Sequence, residues 1–135
     1  MEPADAELTA QVAAAAPFTA FLGIEMVSAS PHEVRAQLAW SEDRCTAGGI
    51  MHGGALMGLA DNVGGFCAFL NLPEDAAGTA TIESKTNFFG PVREGYVNAV
   101  SRPLHTGRRT IVVDTELYDD AGKLVARVTQ TQAVL

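Results

Sequence analysis

The chain contains 135 residues, of which 47% are hydrophobic and 19% charged, a balance typical of one globular domain and unlike that of a disordered segment. Sixteen acidic residues against nine basic ones give a formal net charge of −7, which argues against a broad interface with nucleic acid or anionic lipid. The start from Met1 to Asp5 is acidic where a secretory leader is basic, and Pro17 interrupts the apolar run 12–24. We therefore expect a cytoplasmic protein with no membrane-spanning segment.

The first third of the chain predicts helix followed by a hairpin. Residues 5–15 are rich in Ala, Glu and Gln, and the helix should end before Pro17, because the residue preceding a proline is disfavoured in the helical conformation. A brief helical turn over 18–22 is expected next. Apolar and polar residues then alternate over 24–38, around a turn near Pro31, which predicts a half-exposed β-hairpin.

A long apolar helix is predicted in the middle of the chain. The run from Ala55 to Leu70 is interrupted only by Asp61 and Asn62, so we expect a helix that is buried on most sides. The remaining residues predict strands joined by short turns, which indicates an antiparallel sheet with its strands in sequence order. A sheet that curls around the helix would cover its apolar surface and give an α+β fold. The four strands are expected at 79–89, 96–105, 110–118 and 124–135.

The entrance to this helix, His52-Gly53-Gly54, is the first candidate site. Glycines in a first helical turn allow a ligand to approach the backbone closely. The free amides there, together with the positive end of the helix dipole, favour an oxyanion. A plain loop-to-helix junction is the simpler interpretation of the two glycines taken alone.

Asp61 is the second candidate, because a carboxylate on a buried helix is costly unless it is paired, hydrated or functional. Burial would also raise its pKa towards the range that suits a general base. The alternatives are a hydrogen bond to a neighbouring turn, or exposure at a dimer interface. Gly53 and Asp61 are eight residues apart, about 12 Å along a helix, so one substrate carbonyl cannot easily contact both. If the two residues cooperate, they must come from two copies of the chain, which predicts a homodimer with two equivalent sites.

These residues resemble a known family. Residues 49–56, together with Asp61, are similar to the signature of PaaI-like hotdog thioesterases, and the likeness extends over nearly the whole chain from about Phe18. Further matching segments are 87–91, 105–109 and 122–126. The resemblance implies a hotdog fold, an antiparallel β-sheet wrapped around a central α-helix, in a single domain over 1–135 with an N-terminal helical extension over 1–17. It also implies a homodimer that assembles as a homotetramer.

The resemblance also implies an activity, the hydrolysis of an acyl-CoA thioester to a free acid and coenzyme A without a cofactor. The Gly53 amide would polarise the thioester carbonyl, while Asp61 of the partner subunit would act as nucleophile or as general base for water. A hydroxyl on the strand after the helix often assists in this family, and Thr81 is the best match, with Thr79 as the alternative. Gly54 would lie against the substrate.

Thr46 departs from the family pattern, because relatives commonly carry Asn or Gln six residues before the histidine. Threonine has a shorter reach for the thioester or the water, which puts efficiency and substrate choice in doubt more than the reaction class. Gly65, in Gly64-Gly65, either leaves room for the acyl group or permits close packing of the helix on the sheet. For His52 a structural role in the loop is preferred to a catalytic one.

Several other expectations stay open at this point. Arg108 and Arg109, with the nearby Arg102 and His105, either meet the phosphates of coenzyme A or form a solvated hairpin end. No metal site is expected, because the histidines and cysteines show no ligand spacing. Two competing functions remain: a hotdog enoyl-CoA hydratase or dehydratase, which would need His52 close to the acid, and a non-catalytic acyl-CoA-binding module, which Thr46 favours slightly.

Overall fold

A computed structural model describes residues 2–135. The predicted N-terminal helix and the predicted apolar helix are both present, and all six predicted strands form. Their boundaries differ from the expected ones by a few residues. The helices are α1 (Ala6–Ala15), α2 (Pro17–Leu22) and α3 (Gly53–Phe69), and the strands are β1 (Glu25–Ser30), β2 (Glu33–Ala39), β3 (Thr79–Phe88), β4 (Tyr96–Thr106), β5 (Thr110–Tyr118) and β6 (Leu124–Val134).

The six strands form one antiparallel sheet in the order β1-β2-β4-β5-β6-β3. The expectation that the strands follow sequence order is therefore wrong for β3, which pairs with β6 at the far edge instead of with β4. The segment between β3 and β4 crosses the end of the sheet rather than turning back. It is held in this path because Val92 is buried and its carbonyl accepts the N–H of Met51 at 2.8 Å.

Helix α3 lies across one face of the curved sheet and supplies the centre of the core. Its inward side chains are fully buried against the strands, as the apolar sequence predicts. This is the α+β hotdog arrangement expected from the sequence. The buried residues of α3 include Leu56, Leu59, Ala60, Val63 and Cys67, and they meet strand residues such as Val97, Ala99, Val113 and Leu117.

Helices α1 and α2 close one side of this core. The Asp5 carboxylate caps α1 by accepting the N–H of Leu8 at 2.9 Å, and Pro17 begins α2, where its missing N–H costs nothing. Helix α2 ends at Gly23, whose φ of +82° is unfavourable for other residues. The Arg44 guanidinium then ties the end of α2 to the loop before α3, because its Nε donates to the carbonyl of Leu22 at 2.9 Å.

One face of α3 and one edge of the sheet are left uncovered. Gly54, Met57, Asp61 and Phe69 form an exposed stripe along α3, so the expectation of a helix buried on most sides is wrong for this face. Nearly all of strand β3 is exposed as well, and none of the other strands formed by residues 2–135 lies along its outer edge. Within residues 2–135, no helix is both long enough and apolar enough to cross a membrane.

Candidate active site

The first turn of α3 leaves one backbone donor free. The imidazole Nδ1 of His52 accepts the N–H of Gly54 at 2.7 Å, and the His52 carbonyl accepts the N–H of Ala55 at 2.9 Å. Across residues 2–135 the N–H of Gly53 has no acceptor. This donor lies at the positive end of the helix dipole, which suits an oxygen that gains negative charge. His52 itself serves as the N-cap, which is a structural role.

An aromatic side chain that the sequence reasoning did not single out lies against Gly53. A Cβ atom built on Gly53 would lie 3.0 Å from Cζ of Phe88, so the absence of a side chain lets this ring approach the helix start. Phe88 is half-exposed. Its position within the matched segment 87–91 was the available signal, but that segment was used only as evidence of resemblance.

Asp61 lies two turns further along α3, in the middle of the exposed stripe. The expectation that its carboxylate is buried is wrong for the single chain, because Asp61 points away from the sheet while Ala60 and Val63 point towards it. The surrounding protein still removes part of its hydration, which raises the pKa of Asp61 above the usual 3.8. The carboxylate makes no hydrogen bond or ion pair within the described part of the chain. It is therefore available to a substrate or a water molecule.

A cavity of about 490 Å³ opens beside Asp61, between α1, α2, α3 and the strands β3 and β6. Its polar lining residues include Asp61, Thr79, Thr81 and Gln132. Most of the remaining lining is apolar, and it includes Gly65, at which an added Cβ would meet nothing within 4 Å. Asp61, Thr81 and Gly65 of the predicted site thus share one cavity. The apolar wall consists of Leu8, Val12, Ala15, Ala16, Phe66 and Phe69.

The remaining predicted site residues lie elsewhere in the single chain. Thr46 is exposed in the loop before α3, where its N–H donates to the carbonyl of Ile50 at 2.8 Å. Arg108 and Arg109 are exposed at the turn between β4 and β5. Arg102 does not act with them, because its guanidinium contacts Glu33 at 2.8 Å. None of these residues lines the cavity beside Asp61.

Two buried glutamines next to Thr81 were also missed. Gln130 and Gln132 are 0% and 2% exposed, and they alternate along β6 on the face that packs against α3. Gln132 Nε2 donates to Thr81 Oγ1 at 2.7 Å. The signal was available, because two glutamines occupy the inward positions that continue the buried Ala126 and Val128. No three His, Cys, Asp or Glu side chains between residues 2 and 135 converge in a way that could hold a metal ion.

Sequence comparison places the chain in a family. Residues 48–126 match the profile of the thioesterase superfamily, and the chain belongs to that superfamily. It is 32% identical to a protein of Saccharolobus solfataricus that is provisionally named an esterase, over 84% of this chain and 75% of that one. It is also 34% identical to the 1,4-dihydroxy-2-naphthoyl-CoA hydrolase of Escherichia coli, over 64% of this chain and 63% of the relative.

Comparison of structures agrees with this assignment. A thioesterase from Haemophilus influenzae superposes with a TM-score of 0.85 at 25% identity, covering 95% of this chain and 87% of that one. A thioesterase variant from Pseudomonas aeruginosa gives 0.86 at 28% identity, covering 94% and 93%. The fold, the family and these neighbours make the chain a thioester hydrolase.

Proposed function

We propose that this chain hydrolyses acyl-CoA thioesters, with Asp61 of one subunit and the Gly53 amide of its partner acting on the same substrate. The observation that carries this proposal is the free Asp61 carboxylate, which has a raised pKa and borders an apolar cavity. A similar relative is named as a hydrolase of 1,4-dihydroxy-2-naphthoyl-CoA, which supports a CoA thioester as the substrate. The resemblance to the PaaI-like members points the same way.

These two groups and water supply the central steps of the reaction. The Gly53 N–H donates to the thioester oxygen as negative charge develops on it. The Asp61 carboxylate either attacks the carbonyl carbon or removes a proton from the attacking water. In the general-base route, the carbon–sulfur bond breaks and the proton that Asp61 took from water passes to the sulfur, so coenzyme A leaves as the thiol and the acyl group as the acid. In the nucleophilic route, coenzyme A leaves as the thiolate and is protonated by solvent, and water then hydrolyses the acyl-Asp61 anhydride to the free acid.

The acyl group fits the cavity beside Asp61. A volume of about 490 Å³ is within the usual range for small-molecule sites, and the apolar walls can bury a hydrocarbon or aromatic group. Gly65 and Ala15 keep the cavity open because they carry little or no side chain. Helix α1 forms part of its wall, so the N-terminal extension takes part in acyl recognition.

The partner subunit docks along strand β3. This edge strand is ten residues long, its outer edge is unpaired, and Ile82 is 63% exposed on it. An exposed strand edge of this length, with its backbone groups unpaired, is a site of strand pairing. Antiparallel pairing of two copies about a two-fold axis at Ser84 would place Glu83 opposite the partner's Lys85, and this charge complementarity favours that register.

The main competitor in another enzyme class, a hydratase, needs a histidine paired with the acid. The Nδ1 atom of His52 accepts the N–H of Gly54, so this nitrogen is not available for proton transfer, which disfavours that mechanism. A non-catalytic binding module remains distinguishable by experiment. The homotetramer, the cytoplasmic location and contact of Arg108 and Arg109 with coenzyme A stay predictions.

The direct test is Asp61→Asn, which keeps the size of the side chain and removes its charge. We expect turnover of a panel of acyl-CoA substrates to fall by at least about a thousandfold, measured as thiol release with a disulfide dye. Asp75→Asn, at an exposed loop position, serves as the matched control and should retain the parent rate. A wild-type chain that binds acyl-CoA but never releases thiol would indicate a binding module and contradict the proposal.

A further inference from the structure

The two buried glutamines of β6 connect the backbone of α3 to Thr81. Gln130 Nε2 donates to the carbonyl of Ala60 at 3.3 Å, one residue before Asp61. Gln130 Oε1 accepts a hydrogen bond from Gln132 Nε2, and the same Nε2 donates to Thr81 Oγ1 at 2.7 Å. We call Gln130 and Gln132 the glutamine pair. It spans the space between the residue that precedes Asp61 and a hydroxyl that lines the same cavity.

A missing side chain on α3 makes this connection geometrically feasible. A Cβ atom on Gly64 would lie only 2.5 Å from Gln130 Nε2 and 2.9 Å from its Cδ. The amide of Gln130 can therefore approach the helix backbone only because residue 64 is a glycine. Close packing explains Gly64, whereas the neighbouring Gly65 faces open space in the cavity.

The hydrogen-bond pattern fixes the direction of every amide in the pair. A carbonyl can only accept, so the Ala60 carbonyl requires the NH₂ of Gln130 on its side, which turns Gln130 Oε1 towards Gln132. Gln132 must then present its NH₂ to Gln130 Oε1 and to Thr81. The Thr79 hydroxyl, which lies 3.1 Å from Gln132 Oε1, is compatible with this orientation because it can donate to that oxygen.

With the amide of Gln132 in this orientation, the hydroxyl protons of Thr81 and Thr79 point in different directions. Thr81 Oγ1 is an acceptor for Gln132, and its hydroxyl proton has no acceptor in residues 2–135. Thr79, in contrast, directs its proton into the protein, towards Gln132 Oε1 or the carbonyl of Ala133 at 2.8 Å. Only Thr81 therefore has a proton to offer to a group bound beside Asp61.

We propose that Gln130 and Gln132 are positioning residues that hold Thr81 as a hydrogen-bond donor in the cavity it shares with Asp61. The inference rests on the proposed thioesterase function and adds a residue network to it. The pair acts through Thr81, so its contribution to turnover should vanish when the Thr81 hydroxyl is absent. A merely structural role would give no such dependence.

A double-mutant cycle on kcat tests this dependence. Thr81→Val and Gln132→Met should each lower kcat for the best acyl-CoA substrate by about ten- to hundredfold, the value of one hydrogen bond made in the transition state. The double variant should be no slower than Thr81→Val alone. Thr131→Val, on β6 and outside the cavity lining, is the matched threonine control, and we expect its kcat to fall by less than about threefold.

Two further variants distinguish an effect on kcat from a general loss of stability. Thr115→Val removes a buried hydroxyl that forms a hydrogen bond with Ser101 at 2.6 Å, and should lower the melting temperature while leaving kcat unchanged. Gly64→Ala keeps both glutamines and displaces the amide of Gln130, so it should lower kcat in the wild-type background but not in the Thr81→Val background. Gly64→Ala carries the test by itself if Gln132→Met does not fold.

The experiments distinguish a failure of the positioning role from a failure of the proposed thioesterase function. Full turnover by Asp61→Asn would overturn the function and this inference together. If Asp61→Asn is inactive but Gln132→Met keeps a kcat within about twofold of wild type, only the positioning role is wrong. Losses that multiply in the double variant would likewise overturn it, because they would mean that Gln132 acts independently of Thr81.

Discussion

The two faces of helix α3 differ in what they contact and in what they do. The inward face, which includes Leu59, Val63 and Cys67, is fully buried against the sheet and makes the core. The outward stripe carries Met57, Asp61 and Phe69, all of them exposed in the single chain. The inward face therefore stabilises this fold, whereas the outward face holds a carboxylate and an apolar surface that a substrate and a second chain can cover.

Substitutions on the two faces should separate stability from activity. Leu59→Ala removes a fully buried side chain and should lower the free energy of unfolding by about 2–5 kcal/mol. Asp61→Asn on the outward face should change that free energy by less than about 0.5 kcal/mol at neutral pH while abolishing turnover. Chemical denaturation and thiol release measured on the same preparations check both. Equal losses of stability in the two variants would show that the faces do not differ in this way.

The proposed register along β3 gives the next largest effect. Glu83→Lys would place like charges opposite each other twice in a symmetric dimer, which should weaken dimerisation by about ten- to hundredfold at low salt. The swap Glu83→Lys with Lys85→Glu should restore the affinity, because each opposite-charge pair is regained. Sedimentation at several protein concentrations measures both. A swap that dimerises no better than the single variant would rule out pairing about Ser84.

Two neighbouring glycines offer a finer comparison. Ala at position 65 meets open space and gains helix propensity, so Gly65→Ala should raise the free energy of unfolding by up to about 1 kcal/mol. Ala at position 64 gains the same propensity but forces the buried Gln130 amide aside, so Gly64→Ala should lower it by about 1 kcal/mol. Thermal unfolding of the two variants shows whether each substitution raises or lowers the free energy of unfolding. A stabilising Gly64→Ala would mean that Gln130 moves without cost.

The smallest effect concerns pH. In the folded chain, partial desolvation raises the pKa of Asp61. Ionisation of Asp61 therefore lowers the stability of the folded chain as the pH rises from 3.8 through the raised pKa. Activity needs the ionised carboxylate, and the acid limb of kcat/KM should therefore lie above 3.8, the usual value for aspartate. Relative to wild type, Asp61→Asn should gain stability as the pH rises from below 3.8 through the raised pKa of Asp61. An acid limb below 3.8 would contradict the desolvated environment of Asp61.

Most helices and strands were predictable from the local spacing of apolar residues, because a helix and a strand repeat their buried positions with different periods. The α3 helix, the hairpin β1–β2 and the later strands were all predictable in this way. The place of β3 at the edge was not, because a short connection such as 89–95 fits a hairpin as well as a crossover, and only the buried Val92 distinguishes them. The burial of Asp61 was predicted wrongly for a related reason, since an apolar helix side can be covered by the same chain or by another one.

The site was predictable only in part. Gly53, Asp61 and Gly65 could be proposed from residue type and spacing on one helix. The contact between Phe88 and Gly53 depends on the crossover that brings the end of β3 to the start of α3, and no local pattern encodes it. The glutamine pair depends on the pairing of β3 with β6, which was also not predicted.

The central claim, that each site combines residues of two chains, is tested most directly by complementation. Gly53→Pro removes the proposed donor at a first helical position, where the backbone accepts proline once the half-exposed Phe88 ring shifts aside, and Asp61→Asn removes the carboxylate. Each variant alone should be inactive, but dimers mixed from equal amounts of both should regain about a quarter of the wild-type activity. Half of those dimers are mixed, and each has one intact site of two. Activity of the mixture that does not exceed the sum of the two separate variants would contradict the shared site.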